Sequence, residues 1–249
     1  MSETSGFLAR PDGARLAWRK VEGAAPTVVW LGGFKSDMAG TKAQALAEWA
    51  QARGRAYVRF DYFGHGESSG DFSEGTITRW RDDALAVLDD LTAGPLVLVG
   101  SSMGGWMACL AAMARPERVQ AMVLIAPAPD FTETLMKPEI PPDGLAMLER
   151  DGVWLRPSEY GDPYPITQAL LEDGARWSIL GGEPVPIEVP VRILQGGADP
   201  DVPWGHALEL ANTLRGEDVV FTLIRDGDHR LSRPQDLARL IAAVEELVK

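Results

Sequence analysis

The chain has 249 residues, an apolar fraction of 45% and a formal net charge of −12 at pH 7. This length suits one sizeable domain with a full hydrophobic core, and the apolar fraction is ordinary for a globular protein. Acidic residues outnumber basic ones by 36 to 24, so neither nucleic acid nor an anionic membrane surface is expected as a partner.

The cysteine content and the chain start both bear on the compartment. A single cysteine, Cys109, excludes an internal disulfide and fits a reducing compartment, and its apolar helical surroundings indicate a small buried core residue. The first residues carry no basic or long apolar segment, and no apolar run is long enough to span a bilayer. The sequence therefore predicts a cytoplasmic protein without a membrane span, either a monomer or a homodimer.

Strand and helix patterns alternate along most of the chain. Two strands around residues 7–10 and 15–18 are joined by the turn signal Pro11-Asp12-Gly13. Continuous apolar runs, typical of strands buried on both faces, follow at residues 28–31, 56–58, 96–99, 122–125, 191–194 and 219–224. Helical spacing of apolar residues lies between and after them, most clearly at 77–91 and 237–247. This alternation predicts an α/β fold with a doubly wound, mostly parallel sheet.

The alternation breaks between residues 127 and 186. This stretch is rich in proline, has no convincing strand pattern, and keeps only two short helical patterns at residues 144–150 and 166–174. A structureless loop of this length is uncommon in a compact domain. We therefore expect residues 127–186 to form an inserted cap over the C-terminal edge of the sheet, with residues 1–126 and 187–249 forming the core.

A candidate nucleophile lies between a buried strand and a helix-forming run. The segment Gly100-Ser101-Ser102-Met103-Gly104 has the form G-x-S-x-G, which in this setting predicts a sharp turn with Ser102 at its apex. Glycine is needed where a Cβ would collide with neighbouring backbone. The turn holds the serine in a strained conformation that costs about 1–3 kcal/mol, and the helix N-terminus that follows faces developing negative charge.

A serine hydroxyl requires a base, and histidine is the usual one near neutral pH. His229 lies in the loop after the last predicted strand, from which it can reach Ser102, and is the predicted base. His65, in a glycine-rich loop, is expected to be structural. His206, in the first turn of a predicted helix, is expected to be an ordinary packing or surface residue.

The base in turn needs a carboxylate that fixes its tautomer and stabilises the imidazolium. Asp199 follows a predicted strand at its carboxyl end, where the sites of open α/β sheets lie, and is the predicted acid. Asp201 is the competing choice. Asp228, adjacent to the histidine, and Asp130, after the preceding strand, are remoter alternatives.

The resulting chain order of serine, aspartate and histidine is that of α/β-hydrolase triads. Two backbone amides are expected to form an oxyanion hole, one from Met103 and one from Phe34, which follows Gly32-Gly33 after the first long strand. Each such donor stabilises the transition state by roughly 2.7–4 kcal/mol. No metal site and no cofactor are predicted, because the histidines and the cysteine lack ligand spacing and no G-x-G-x-x-G follows that strand.

Seven short segments carry a resemblance to a known family: FLARPDG at residues 7–13, GTKA at 40–43, RFDY at 59–62, GSSMGGW at 100–106, ARPE at 114–117, VPW at 202–204 and DHR at 228–230. The chain resembles α/β-hydrolases over its whole length, and more narrowly the group of mitochondrial palmitoyl-protein thioesterases that also act as mycophenolic acid acyl-glucuronide esterases. The resemblance implies Ser102 as nucleophile, Asp199 as acid and His229 as base.

Three features depart from that pattern. No presequence is recognisable at the chain start, so mitochondrial import is not expected to carry over. Gly32 and Gln195 occupy positions where many α/β-hydrolases have histidine. Neither replacement removes a catalytic group.

The leading hypothesis is a serine hydrolase that cleaves carboxylic esters or acyl thioesters with an apolar acyl group, through an acyl-enzyme. Its substrate would be a small molecule or an acylated protein. The alternatives are a C–C bond hydrolase or an aminopeptidase on the same triad, and a non-catalytic ligand-binding protein of the same fold. The large apolar cap residues are expected mostly to pack the cap onto the core, with a few lining an acyl pocket: Phe131, Leu135, Met136, Leu145, Met147, Leu148, Trp154, Tyr160, Tyr164 and Trp177.

Overall fold

The computed structural model describes residues 3–157 and 163–248. The strands in these ranges are β1 (Glu3–Ala9), β2 (Arg15–Val21), β3 (Ala24–Leu31), β4 (Arg55–Phe60), β5 (Leu96–Ser101), β6 (Val119–Ile125), β7 (Val153–Arg156), β8 (Tyr164–Thr167), β9 (Val191–Gly196) and β10 (Val219–Ile224). The α-helices are α1 (Thr41–Arg53), α2 (Ile77–Leu91), α3 (Met103–Ala114), α4 (Pro142–Asp151), α5 (Gln168–Arg176), α6 (Trp204–Thr213) and α7 (Pro234–Leu247). None of the helices in the described ranges is long and apolar enough to cross a membrane.

The central sheet has the strand order β1-β2-β4-β3-β5-β6-β9-β10. The hairpin β1–β2 and the pair β2–β4 are antiparallel, and every later neighbour pair is parallel. The prediction of a doubly wound, mostly parallel sheet is confirmed. The chain runs from β3 outward to β4 and then crosses back to β5 on the other side of β3. The carboxyl ends of β3 and β5 therefore flank a topological switch point, where ligands bind in open α/β sheets.

Helices cover both faces of the sheet. Successive residues of a buried strand enter different clusters, so Leu98 packs with α2, α3 and α6 while Val99 packs with α1 and α7. This two-sided burial explains why the central strands read as continuous apolar runs rather than alternating ones. Cys109 lies wholly buried on α3, and burial raises the pKa of its thiol to about 12. The expectation that it is a core residue agrees with this placement.

The stretch between β6 and β9 differs in part from expectation. Helices α4 and α5 lie close to the two predicted helical patterns, but β7 and β8 form a two-stranded antiparallel sheet where no strand was expected. Each of these strands has only four residues, too few for a period to be read, and Pro165 lies within β8. Ile166, assigned by its spacing to a helix, belongs to β8 and is fully buried. The division into a core and a cap at 127–186 stays a prediction.

Side chains from this stretch join the same apolar cluster as α2 and α3. Phe131, Met136, Leu148 and Trp154 are buried in it, and other large apolar residues of the stretch pack half-buried against it. Leu145 is exposed. Tyr160, which we also expected to contribute, lies outside the described residues.

Candidate active site

Ser102 forms the apex of a tight turn between β5 and α3. Its backbone has φ 55° and ψ −120°, a region that L-residues rarely adopt and that costs about 1–3 kcal/mol. A Cβ on Gly100 would overlap the backbone of Gly104, and a Cβ on Gly104 would overlap the carbonyl of Leu31. The Ser102 amide donates to the Ile125 carbonyl at 2.9 Å, which anchors the turn to β6. The strained turn that we expected at Ser102 is present.

His229 lies between the hydroxyl and the carboxylate. Its Nε2 is 3.1 Å from Ser102 Oγ, and its Nδ1 is 2.8 Å from Asp199 Oδ2. An ionised carboxylate can only accept a hydrogen bond, so Nδ1–H donates to Asp199 and Nε2 accepts a hydrogen bond from the Ser102 hydroxyl. The imidazole is 23% exposed and the Asp199 side chain is fully buried, so solvent reaches the histidine but not the carboxylate.

Asp199 is surrounded by hydrogen-bond donors. Oδ1 accepts from the amides of Asp201 and Val202, both at 2.9 Å, and Oδ2 accepts from Gln195 Nε2 at 3.1 Å as well as from His229. Burial acts to raise the pKa of this carboxyl. The hydrogen bond and charge of His229, together with the two amides, outweigh it and hold the pKa below its usual value. Asp199 is therefore ionised at neutral pH.

Gln195 is a residue of this site to which sequence reasoning gave no role. It lies fully buried in β9, and its Nε2 donates to Asp199 and to the carbonyl of Val202 at 3.0 Å. It thus ties the carboxylate to the backbone turn that supplies its other donors. The available signal was a single amide side chain at the end of a predicted buried strand, four residues before the predicted acid.

The other candidate acids lie in different contacts. Asp201 is exposed, and it meets Asp199 through its backbone amide rather than its carboxylate. The Asp228 carboxylate accepts from a backbone amide of its own loop at 2.9 Å. Asp130 accepts from the amides of residues 179 and 180 at 2.8–2.9 Å, which secures that segment to the end of β6.

The two remaining histidines make structural contacts. His65 is buried, its Nδ1 lies 3.1 Å from the Phe63 carbonyl, and its Nε2 accepts from the Lys35 amide at 3.1 Å. Burial lowers the pKa of His65, which keeps its imidazole neutral and able to accept from Lys35. It thereby holds the amide directly after the predicted oxyanion residue. His206 Nε2 lies 2.7 Å from the Pro129 carbonyl.

The loop after β3 lies against the nucleophile. A Cβ built on Gly33 would be 3.3 Å from the Ser101 carbonyl oxygen and 3.4 Å from Ser102 Cβ, so the backbone of this loop lies in close contact with the turn that carries the serine. Met103 is the first residue of α3, where helix geometry leaves the amide without a partner inside the helix. The amides of Phe34 and Met103 thus belong to the two segments that flank Ser102.

An aromatic cluster surrounds the Phe34 ring. Its centroid lies 5.0 Å from Phe72, 5.7 Å from Trp80, 5.5 Å from Phe131 and 6.0 Å from Tyr164, mostly in edge-to-face contacts. Phe72 and Trp80 come from the segment before and within α2, whereas Phe131 and Tyr164 come from the stretch between β6 and β9. The loop after β3 is therefore packed from both sides by apolar rings.

One group of side chains among the described residues has spacing compatible with a metal ion. Ligand atoms of Asp199, Asp201 and His229 lie within 4.8 Å of one another. Asp199 and His229 are already hydrogen-bonded to each other through Oδ2 and Nδ1. Binding an ion there would require the imidazole to give up this hydrogen bond.

Comparisons with known proteins identify the family. The family model Hydrolase_4, described as serine aminopeptidase, S33, matches residues 24–169, which is more than half of the chain. The bovine protein named palmitoyl-protein thioesterase ABHD10, mitochondrial, is 38% identical over 244 residues, covering 97% of this chain and 79% of its own length. The chain belongs to this α/β-hydrolase family. The resemblance found in the sequence is confirmed.

Two solved structures match this α/β-hydrolase over nearly its full length. A candidate hydrolase from Agrobacterium vitis S4 superimposes with a TM-score of 0.93 at 44% identity, covering 100% of this chain and 99% of its own. Mouse α/β-hydrolase domain-containing protein 10 superimposes with a TM-score of 0.89 at 36% identity, covering 98% of each chain. The arrangement of sheet and flanking helices is thus that of the family.

The prediction of a cytoplasmic protein is wrong by the same comparison. The curated relatives that match 97–98% of this hydrolase, from cattle, orangutan, human, rat and mouse, are all named as mitochondrial. The prediction used the single cysteine and the composition of the chain start. A lone free thiol is compatible with any reducing interior, so it does not distinguish one such compartment from another.

Proposed function

We propose that this α/β-hydrolase is a serine hydrolase that cleaves carboxylic esters or acyl thioesters through an acyl-enzyme on Ser102. The observation that carries the proposal is the position of His229, within hydrogen-bond distance of both Ser102 Oγ and Asp199 Oδ2. A nucleophile, a base and a group that orients the base are the three parts that acyl transfer requires.

In the proposed acylation step, Ser102 Oγ attacks the acyl carbonyl carbon while His229 Nε2 takes the hydroxyl proton. The carbonyl oxygen becomes an oxyanion and accepts from the amides of Phe34 and Met103. When the tetrahedral intermediate collapses, the bond to the leaving oxygen or sulfur breaks and His229 returns the proton to that atom. A water molecule, deprotonated by the same imidazole, then attacks the acyl-enzyme and frees the carboxylic acid.

Asp199 supports this cycle electrostatically. Its lowered pKa keeps the carboxylate charged whenever His229 becomes an imidazolium, and its side chain is fully buried, so the attraction is weakly screened by solvent. The carboxylate holds Nδ1–H in place, which leaves Nε2 to face the serine. The proton stays on the imidazole rather than passing to Asp199.

The surroundings of the site favour an apolar acyl group. The rings around Phe34 include Phe131 and Tyr164, and Trp106 packs edge-to-face on Phe131 with centroids 5.8 Å apart. Apolar walls with a few converging polar groups are typical of small-molecule sites. The curated relatives are named as palmitoyl-protein thioesterases, which supports a thioester of a long acyl chain as one substrate class.

The description of the matching family as serine aminopeptidases favours a second candidate, hydrolysis of an aminoacyl amide by the same residues. A substrate panel separates the two. We expect p-nitrophenyl octanoate and octanoyl thioesters to be cleaved with kcat/KM about tenfold or more above the acetyl substrates, because each buried CH₂ contributes about 0.8 kcal/mol. An aminoacyl p-nitroanilide should be cleaved at least a thousandfold more slowly.

The panel also includes a diketone, as a substrate for C–C bond hydrolysis. A preference for the p-nitroanilide or for the diketone over the esters would contradict the proposal. The Asp201→Asn variant serves as a matched control, because Asp201 is exposed and its hydrogen bond to Asp199 comes from its backbone amide, which the substitution keeps. Its substrate preferences should equal those of the unchanged protein.

A further inference from the structure

Lys42 breaks a local rule of helix design. It is the second residue of α1, whose first turn contains no acidic residue, and a cation there opposes the positive end of the helix dipole. It also belongs to the GTKA segment, one of the stretches that carry the family resemblance, and no step of the proposed mechanism uses it. A residue that breaks a local rule without an evident gain in stability points to a functional role.

The ammonium of Lys42 reaches the loop that carries His229. Nζ donates a hydrogen bond to the carbonyl of Arg230, the residue directly after His229, across 188 positions of sequence. Its partner is a neutral carbonyl rather than a carboxylate. This hydrogen bond therefore connects α1 to the loop at the residue that follows His229.

The surroundings of Lys42 disfavour its charge. Burial is the main cause that lowers its pKa, to about 8, and the guanidinium of Arg230 lowers it further, while the carboxylate of Asp228 acts in the opposite direction. These two charged groups both come from the loop after β10. Between pH 8 and 10.5 the folded protein binds fewer protons at Lys42 than the unfolded chain does, so the charged lysine costs folding free energy at neutral pH.

The rest of the His229 loop fixes its own shape. Leu231 has φ 43° and is buried, and its amide donates to Asp228 Oδ1 at 2.9 Å. Ser232 Oγ donates to the same Arg230 carbonyl at 3.0 Å. Lys42 thus adds a hydrogen bond from α1 to a turn that is already stabilised by its own contacts. This hydrogen bond affects the position of the turn rather than its formation.

We infer that Lys42 is a positioning residue for the base: by holding the carbonyl of Arg230 it keeps the imidazole of His229 aligned with Ser102. The inference rests on the proposed function of that serine and histidine. Misplacing a catalytic group by about 1 Å costs on the order of a hundredfold in rate, so a single hydrogen bond next to the base can have a measurable effect.

The charge of Lys42 gives the inference a pH signature. A hydrogen bond from an ammonium is roughly twice as strong as one between neutral groups, so the hydrogen bond from Lys42 to the Arg230 carbonyl weakens as Lys42 loses its proton. We expect kcat of the unchanged protein to fall above about pH 8, where that proton is lost. Arg230→Ala keeps the carbonyl but removes a positive charge, so it should move this alkaline limb to higher pH.

The test compares Lys42→Met, which keeps an unbranched side chain one atom shorter but removes the donor, with Lys42→Arg, which keeps a charged donor. For p-nitrophenyl octanoate we expect Lys42→Met to lower kcat by about tenfold or more, with KM within about threefold, and to lose the alkaline limb. Lys42→Arg should recover most of the rate. The Tm of Lys42→Met at pH 7 should be unchanged or higher, because the folded protein no longer holds a disfavoured charge.

Two controls separate the possible failures. Ser232→Ala removes the neutral donor to the same carbonyl and should leave kcat within about threefold. If Ser102→Ala stays active, the proposed function itself fails. If Ser102→Ala is inactive but Lys42→Met keeps its kcat and its alkaline limb, only the present inference is overturned. A parallel fall of kcat and Tm in Lys42→Met would assign the lysine a merely structural role and overturn it too.

Discussion

Replacing Ser102 with alanine should lower kcat/KM for p-nitrophenyl octanoate by about 10⁴- to 10⁶-fold. The change removes the oxygen that forms the acyl-enzyme in the proposed mechanism, while His229 and the flanking amides remain. The residual rate comes from those groups acting on bound water. Steady-state kinetics measures the loss, and circular dichroism with a thermal melt shows that the fold persists, since alanine needs no more space than serine.

The neighbouring residue provides the matched control. Ser101 is the last residue of β5, directly before Ser102, and is buried, so Ser101→Ala removes a hydroxyl from the adjacent position. We expect its kcat/KM to stay within a few-fold of the unchanged protein. Equal losses in the two variants would mean that the turn, rather than the Ser102 hydroxyl, carries the activity, and the proposed mechanism would be wrong.

Replacing Asp199 with asparagine should lower kcat by about 10⁴-fold with little change in KM. The asparagine amide can donate toward Nδ1 of His229, which favours the tautomer that carries its proton on Nε2. That tautomer cannot accept from Ser102, and the imidazolium loses its buried counter-charge. The measurement is kcat across the pH range, together with a melt that separates lost activity from lost fold.

Asp201→Asn again serves as the control, because it changes an exposed carboxylate two residues away. The lowered pKa of Asp199 adds a second check. Its carboxyl is charged throughout the neutral range, so titration of Asp199 should not limit activity between pH 5 and 9. A larger loss of kcat in Asp201→Asn than in Asp199→Asn would show that Asp199 is not the acid that orients His229.

The parts of the site that follow single strands could be predicted from the sequence. The G-x-S-x-G turn is a local signal, because the glycines, the strained serine and the helix start all lie within five residues. Asp199 and His229 could be placed because carboxyl ends of parallel strands meet at one edge of the sheet. Their hydrogen bonds at 2.8 and 3.1 Å follow from that shared edge.

Other features depend on contacts between distant parts of the chain. The strands β7 and β8 are short and stabilise each other by pairing, so neither carries a periodic signal of its own. Gln195 has no visible role at the end of its strand until its contact with Asp199 is seen. The contact of Lys42 with the His229 loop has no signal in the sequence, because its partner lies 188 residues away. Localisation was predicted wrongly because composition does not distinguish one reducing compartment from another.

Covalent labelling tests the central claim most directly. A fluorophosphonate probe reacts with a serine hydroxyl only where a base activates it, and intact mass followed by peptide mapping locates the adduct. We expect one adduct per chain, on Ser102, formed at least a thousandfold more slowly in His229→Gln and absent in Ser102→Ala. An unlabelled protein that still hydrolyses acyl esters, or an adduct on a different residue, would contradict the account.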